Sequence, residues 1–184
     1  MFDFNSDNQF ARASARVVAL RREKQSLQAR QRDIYESHRH RAFSVAYYMT
    51  GNELEAEQIL ANTFVTAFRA AEEPSGQDVD AALIKQLQQR FPLHSDAPAI
   101  TPSANGYDLS GRNVKRTDLE EAIQELPASE RLLFLLRDVE GYTSAAIAGL
   151  LRVPEAQVKR QVLAARIHLR QAIAELQSDQ EKAA

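Results

Sequence analysis

The side chains with the most defined chemistry in this sequence lie near the start of a helix predicted between Glu155 and about Leu176. Gln157, Lys159 and Arg160 fall within one turn of one another. Amide and guanidinium groups offer paired hydrogen-bonding atoms to base edges, and cationic side chains also hold phosphates. The chemistry that this cluster suggests is therefore recognition of DNA by hydrogen bonds and charge.

The two faces of this helix differ when each residue advances the helix by about 100°. The face that contains Val158 is apolar and is predicted to point inward. It holds Val158, Val162, Ala165, Leu169, Ile173 and Leu176. The opposite face, which Gln157 and Lys159 flank, is predicted to hold Ala156, Arg160, Leu163, Ala164 and Ile167.

A second, shorter helix precedes this one. Thr143 is predicted to cap a helix over Ser144–Leu151, and Arg152-Val153-Pro154 forms a three-residue turn before the longer helix begins. A short helix, a tight turn and a longer helix are typical of a helix-turn-helix, whose second helix enters the major groove.

No catalytic or metal-binding pattern is present in the sequence. There is no Cys, which excludes disulfides, thiolate zinc sites and thiol nucleophiles. His38 and His40 are two residues apart on a predicted helix, so they point away from a shared face and do not chelate one metal. Glycine-rich phosphate loops, nucleophile elbows and carboxylate pairs are missing as well. We therefore expect no enzyme, no cofactor and no metal.

The rest of the chain is predicted to be helical, which makes the fold class all-α. The sequence has 184 residues, of which 44% are hydrophobic, and only six Gly and six Pro. Apolar residues recur with helical spacing over Asp33–Met49 and again in a helix that Asn52 caps and that ends near Phe68. Residues 81–91 are predicted to form one more short helix. Thr117 is predicted to cap a helix over 118–126.

Proline and glycine divide the chain into two helical lobes. Residues 1–32 are predicted to form a basic leading helix or arm, and 33–91 a first helical domain. Residues 92–116, with little periodicity, are predicted to be a linker. Residues 117–184 are predicted to form a second domain that contains the helix-turn-helix.

Charge is sorted along the chain, although the formal net charge is only −2. Residues 41–80 and 118–151 are each net −5, whereas 1–40 and 81–117 are each net +3. This pattern indicates separate acidic and basic surfaces and argues against a chain that coats nucleic acid with its whole surface. No apolar run reaches the roughly 18–20 residues of a membrane span, and no signal peptide is visible. We expect a cytoplasmic protein that does not bind a membrane.

Two sequence stretches resemble the extracytoplasmic-function (ECF) sigma factors of RNA polymerase. The first is Ala46–Asn52 followed by Ala56-Glu57 and Thr63-Phe64, which looks like the family's core-binding second region. The second extends from Leu126-Pro127 through Leu136–Thr143 and Ile147–Leu151 to Val158-Lys159, and it looks like the domain that binds the −35 element.

This resemblance implies a function and a set of site residues. The protein would bind core RNA polymerase and promoter DNA to direct transcription initiation, and an anti-sigma factor would be a further partner. The predicted DNA contacts are Thr143, Arg152, Gln157, Lys159, Arg160 and Arg166. The predicted polymerase face is formed or supported by Glu57, Gln58, Asn62 and Phe64.

The sequence also leaves a second interpretation open. The family's −10-reading segment carries a Trp with basic and aromatic residues, whereas this chain has no Trp and places Ala82–Lys85 there. Leu163 and Ile167 form an apolar stripe on the outer face of the recognition helix and are predicted to be a protein-partner face. The alternative is therefore a sigma-like interaction module that binds a regulator or polymerase without melting promoter DNA.

Overall fold

The computed structural model describes residues 4–91 and 113–183, and over these residues the fold is all-α with no strand. The described helices are α1 (Phe4–Thr50), α2 (Glu53–Ala70), α3 (Gly76–Arg90), α4 (Arg116–Glu125), α5 (Ala128–Phe134), α6 (Ser144–Leu151) and α7 (Glu155–Ala183). Most of the predicted linker, 92–116, lies outside the described residues. In the described parts of the chain, no helix combines the length and the apolar character that crossing a membrane requires.

Helix α1 is continuous through the predicted boundary between 32 and 33. Its 47 residues correspond to a length of about 70 Å at 1.5 Å per residue. Among the side chains described, those of 21–26 and 28–30 are exposed, whereas Ala42, Val45, Ala46 and Met49 are buried. The second half of the helix is therefore part of the core, and the basic first half extends from it.

Local capping determines where α2 and α3 begin. The Asn52 side chain accepts a hydrogen bond from the backbone N–H of Glu55 at 3.2 Å, as predicted. The predicted start of the next helix at 81 is wrong, because α3 begins at Gly76. Ser75 and Asp78 form a reciprocal capping box there, with the Ser75 N–H donating to the Asp78 carboxylate at 2.8 Å.

The predicted cap at Thr117 is also wrong. Helix α4 begins at Arg116, and the capping residue Lys115 makes no side-chain capping bond.

Helix α5 continues into a π-helical turn over Leu135–Val139, where the Glu140 N–H donates to the Leu135 carbonyl at 2.9 Å.

Helices α6 and α7 form the predicted helix-turn-helix. The Thr143 hydroxyl accepts a hydrogen bond from the Ala146 N–H at 3.1 Å, so it caps α6 as predicted. Arg152 ends α6 in the left-handed region, at φ 57°. The N–H groups of Arg152 and Val153 both donate to the Ala148 carbonyl oxygen, which makes the turn before α7 tight.

One apolar core joins the N-terminal unit, α1–α3, to the C-terminal unit, α4–α7. Met49 and Leu87 of the first unit belong to the same cluster as Leu132 and Ile147 of the second, and all four are less than 2% exposed. Helix α1 contacts α4 and α5, and α3 contacts α6. The two units therefore pack together rather than standing apart.

Polar contacts at the end of α1 complete this packing. The Gln124 side chain donates to the Tyr48 carbonyl at 2.8 Å, and Arg131 donates to the Met49 carbonyl at 2.9 Å. These C-terminal side chains satisfy α1 carbonyls that the helix itself leaves unpaired. Gly51 permits the close approach, because it has φ 66° and a Cβ there would lie 3.0 Å from the Gln124 side-chain oxygen.

Candidate nucleic-acid interface and protein-docking face

The exposed side of α7 carries a stripe of cations. Lys159, Arg160 and Arg166 are exposed, and Leu163, with 59% of its surface exposed, lies between them. The inward face is apolar as predicted, since Val158, Val162, Ala165, Leu169 and Ile173 are buried. The helix therefore packs on the core with one side and presents the other to solvent, as a groove-reading helix must.

Two of the cations already have carboxylate partners. Lys159 Nζ lies 2.7 Å from Glu155 Oε1, one turn earlier on α7. Arg166 makes two hydrogen bonds to Asp138, at 2.9 and 2.5 Å. These bonds raise the pKa of Arg166. Asp138 lies in the π-helical turn that follows α5. The ion pair between Arg166 and Asp138 therefore holds α7 against the end of α5.

The other predicted DNA contacts lie around the turn. Arg152 is exposed at the end of α6, and Arg160 is exposed in the second turn of α7. Gln157 is half-buried, and its backbone N–H donates to the Pro154 carbonyl at 2.9 Å. Thr143 is exposed at the start of α6. The structure thus brings these residues to the ends of the two helices of one bihelical unit.

The predicted outer face needs two corrections. Ala164 is buried at 1% exposed, not outward, and Ile167 is half-buried. Since α7 contacts α4, α5 and α6, its buried arc is wider than a single apolar stripe indicates. Gln161 is drawn into the same arc and is 5% exposed. The protein-partner face predicted at Leu163 and Ile167 thus has Leu163 as its exposed part.

One cation on this side was missed by the sequence analysis. Arg170 is exposed and follows Leu163 and Arg166 at helical spacing. The signal that could have found it is the spacing of seven residues from Leu163, which puts both side chains on the same side of the helix. The cationic stripe therefore extends from Lys159 to Arg170.

The outward face of α2 is polar with apolar positions inserted. Glu57, Gln58 and Asn62 are exposed as a docking face requires. Leu54 and Val65, which were not predicted, share this face and are 76% and 47% exposed.

Phe64 lies on the buried side of α2. It is 4% exposed and contacts the Tyr35 ring edge-on, with 4.8 Å between the ring centroids. Its place is therefore behind the docking face, where it holds α2 against α1.

The segment expected at the −10-reading position is part of the core. Ala82, Leu83 and Ile84 are 5%, 4% and 3% exposed, and Lys85 alone of the four is exposed. Leu83 and Ile84 pack in the cluster that both units share. The apolar composition of this stretch is thus explained by packing against the C-terminal unit.

A polar cluster lies at the contact of α1 and α3 with the loop before α6. Arg41 donates to Asp80 and to the Tyr142 hydroxyl, and that hydroxyl donates to Asp80. The Arg41 guanidinium also lies 5.5 Å from the centre of the Tyr142 ring. Burial alone lowers the pKa of Arg41, but Asp80 and Tyr142 outweigh this effect and raise it.

Folding makes the phenol of Tyr142 and the carboxyl of the nearby Glu140 harder to ionise than usual. Burial, followed by the hydrogen bond to Asp80, raises the pKa of Tyr142 to about 12. Burial also raises the pKa of Glu140, against the opposing charge of Arg41. The pKa of each group is therefore higher in the folded chain than in the unfolded one.

The pKa of Glu140 predicts a pH-dependent effect of Glu140→Gln. Because the folded pKa is raised, the contribution of Glu140 to stability is largest below its unfolded pKa and is lost as the pH rises through the folded value. We expect Glu140→Gln to raise the free energy of unfolding at pH 7 by less than about 1 kcal/mol, and the gain to vanish near pH 4. Urea denaturation at the two pH values measures the difference. An equal gain in the free energy of unfolding at the two pH values would contradict a raised pKa of Glu140.

Metal binding finds no support in the described residues. Within 4–91 and 113–183, no three His, Asp or Glu side chains are grouped so that they could hold a metal ion. His168 instead pairs with the buried Glu130, with 2.6 Å between Nδ1 and Oε2.

Comparison with known proteins agrees with the geometry of the C-terminal unit. The sequence model of the family described as Sigma-70, region 4 matches residues 116–169, which contain α4 to α6 and the first half of α7. No curated protein matches the chain. Among solved structures, the chain is similar to the sigma factor RpoE of Bartonella quintana, solved in complex with the anti-sigma factor NepR. The two chains are 17% identical, with a TM-score of 0.50 over 82% of this chain and 96% of that one.

Proposed function

From a sigma-70 region 4 domain at 116–169 and a fold shared with a sigma factor, we infer that the chain is an ECF-type sigma factor. It binds core RNA polymerase and promoter DNA and directs transcription initiation. Its contribution is positional, since it brings polymerase to a DNA sequence by contacts alone. We assign it no catalytic step.

The observation that carries this proposal is the cationic stripe of α7. Lys159, Arg160 and Arg166 stand on the exposed side of the second helix of a helix-turn-helix. We assign Lys159 and Arg160, at the start of that helix, to base edges or the nearest phosphates. Arg152 and Arg166 are assigned to flanking phosphates, and Gln157 and Thr143 to the rim of the contact. Arg170 is added as a phosphate contact.

The polymerase contact is proposed for the outward face of α2. Glu57, Gln58 and Asn62 give it polar groups, and Leu54 and Val65 add exposed apolar surface. A face of mixed polar and apolar groups is typical of a surface that is buried only when a partner binds. Phe64 supports this face from the core.

The partner in the similar solved structure suggests regulation. The RpoE chain was solved with the anti-sigma factor NepR, and we propose that an anti-sigma factor also binds this chain, with Leu163 and Ile167 in its contact. A chain with these partners acts in the cytoplasm. The proposed domains are a first helical domain over 33–91, which the basic arm 1–32 precedes within the same helix α1, and a second domain over 117–184, after a linker predicted over 92–116 whose last residue already belongs to α4.

The proposal is tested with purified chain and core RNA polymerase. We expect the two to co-elute in gel filtration and to give promoter-dependent run-off transcripts from a genomic template library. Asn62→Lys, which adds charge and bulk to the α2 face, should abolish co-elution, whereas Gln88→Lys on the exposed side of α3 should not. Absence of co-elution and of any specific transcript would refute the function.

One observation favours the alternative, a sigma-like module that binds a partner without melting DNA. Leu83 and Ile84, at the −10-reading position, are buried against the C-terminal unit. If this interpretation holds, the chain co-elutes with polymerase or a regulator but gives no transcript from any template. Potassium permanganate footprinting of unpaired thymines near the start site separates the two functions directly.

A further inference from the structure

The first half of α1 carries most of the positive charge of this helix. Residues 10–32 hold seven Lys and Arg side chains and one acidic side chain, whereas residues 33–50 hold two Arg and two acidic side chains. The formal charge of 10–32 is therefore +6, in a chain whose net charge is −2. A helical segment with so one-sided a charge is typical of a surface that binds a polyanion.

Helical geometry collects the cations of residues 21–32 on one side of α1. At about 100° per residue, an arc of about 160° runs from Lys24 through Arg21 to Arg22. We call this side the basic face of α1, and its residues are Arg21, Arg22, Lys24, Gln25, Gln28, Ala29 and Arg32. All seven are exposed. The face therefore offers four cations and two amides to solvent, with Ala29 as its one apolar residue.

The opposite side of the same segment contacts the rest of the protein. Arg30 pairs with Glu73 at 2.7 Å, and the Gln31 side chain donates to the Glu72 carbonyl at 3.1 Å. Both partners lie in the loop after α2. Glu23, the one acid of the segment, also lies outside the basic face. These contacts hold α1 by one side and leave the cations on the other.

The cations of the basic face are available to an anionic partner. Within the part of the chain that the structure describes, no ion pair is formed by Arg21, Arg22, Lys24 or Arg32. No carboxylate therefore has to be displaced when they bind an anion, in contrast to Lys159 of α7, which pairs with Glu155. Like charges on neighbouring turns also repel one another, and a bound anion relieves this repulsion.

We propose that the basic face of α1 is a second DNA-binding surface, which holds duplex DNA without the helix-turn-helix. The major groove is about 12 Å wide and admits one helix between two rows of phosphates. Cations spread over an arc of about 160° reach both rows, while Gln25 and Gln28 lie near the centre of the arc, towards base edges. Residues 10–32 span about 35 Å, or about one turn of the duplex.

An acidic protein surface fits the basic face less well than a duplex does. The buried centre of a protein–protein interface is enriched in aromatic and apolar side chains, and the basic face has only Ala29. A second copy of this chain fits least, because the same face on two copies places cations against cations. The partner is therefore expected to be recognised by its phosphates.

The first experiment measures how the full chain binds a labelled duplex of random sequence. Fluorescence anisotropy at several salt concentrations gives the affinity and its dependence on salt. We expect Arg21→Ala with Arg32→Ala to lower the affinity at least about tenfold at about 0.05 M salt, and to reduce the salt slope by about two, since each phosphate contact contributes about 0.9 to it. Alanine favours the helix, and circular dichroism confirms that the variant is folded.

The matched control removes two exposed cations elsewhere. Arg69→Ala with Arg116→Ala, on α2 and α4, should leave both the affinity and the salt slope as in the parent chain. If the two double variants weaken binding equally, net charge accounts for the effect and the proposal is overturned.

The second experiment identifies what lies against the basic face. Because the chain has no Cys, Gln28→Cys gives one site for a photoreactive label. We expect this label to crosslink to DNA, with the random duplex alone and with core polymerase and a promoter fragment present. Ser37→Cys, exposed on the same helix outside the basic face, should give no such crosslink. Crosslinks from Gln28→Cys to polymerase or to a second copy, with none to DNA, would show a protein contact instead.

The last experiment separates this surface from the helix-turn-helix. Arg21→Ala and Arg32→Ala are added to a chain that already carries Lys159→Ala and Arg160→Ala. The same loss of at least about tenfold in random-duplex affinity is expected, and no further loss in that background would rule out a surface that binds by itself. A chain that does not bind core polymerase would refute the sigma function, while these measurements on free DNA would still decide whether α1 binds it.

Discussion

Replacing both Lys159 and Arg160 by alanine is expected to lower promoter affinity at least about tenfold. Each contact to a base edge contributes about 1–3 kcal/mol to binding, and each phosphate contact adds about one unit to the salt dependence. Both side chains are exposed at the start of the second helix of the helix-turn-helix. Fluorescence anisotropy of a labelled promoter fragment at several salt concentrations measures both quantities.

The control for this variant removes the same charge elsewhere. Arg69→Ala with Arg116→Ala takes two exposed cations from α2 and α4, and Arg116 pairs with Glu120 at 2.7 Å much as Lys159 pairs with Glu155. This control should bind promoter DNA like the parent chain. If both double variants weaken binding equally, net charge and not the α7 stripe would account for the affinity.

Replacing Arg131 by methionine is expected to lower the free energy of unfolding by about 2–4 kcal/mol. The Arg131 guanidinium donates to the carbonyls of Met49 and Leu126, at 2.9 and 3.0 Å, and to both the side chain and the carbonyl of Gln124. Methionine fills similar space but leaves these acceptors without a donor. Urea denaturation followed by circular dichroism measures the loss.

Two further variants test the reason for that loss. Arg131→Lys keeps the charge but not the planar fork, so it should recover less than half of the lost stability. Arg69→Met, at an exposed position of α2, should change stability little. Full recovery by lysine would show that the charge and not the set of hydrogen bonds stabilises the fold.

Helix type and the helix-turn-helix were predictable because their signals are local. The apolar spacing from Val158 to Ile173, the Thr143 cap and the Arg152–Pro154 turn all lie within a few residues of what they determine. The structure confirms each of these. Local hydrogen bonds and one buried face are sufficient to specify such elements.

Errors arose where two local signals compete. The predicted start of a helix at 81 is too late, because Ser75 and Asp78 cap α3 at Gly76. Thr117 was interpreted as a cap, yet the helix begins before it, and Glu120 pairs with Arg116. In both cases the residue type suits a cap, and only the backbone geometry decides which candidate is used.

The contact between the units was not predictable from periodicity. Gln124 and Arg131 resemble ordinary polar residues of amphipathic helices, and Tyr142 resembles a loop residue. Each acquires its role from a partner 76 to 101 positions away in the sequence. The same packing explains why Ala164 is buried, since three helices surround α7 where one apolar stripe predicts a single neighbour.

The π-helical turn at Leu135–Val139 orients two residues that make contacts with distant parts of the chain. A helix advances about 100° with each residue, so shortening this turn by a single residue would rotate everything after it by that angle relative to α5. Asp138, which binds Arg166, and Tyr142, which reaches Asp80, would lose their orientations together. The length of this turn therefore determines both the orientation of α7 and the contact between the two units.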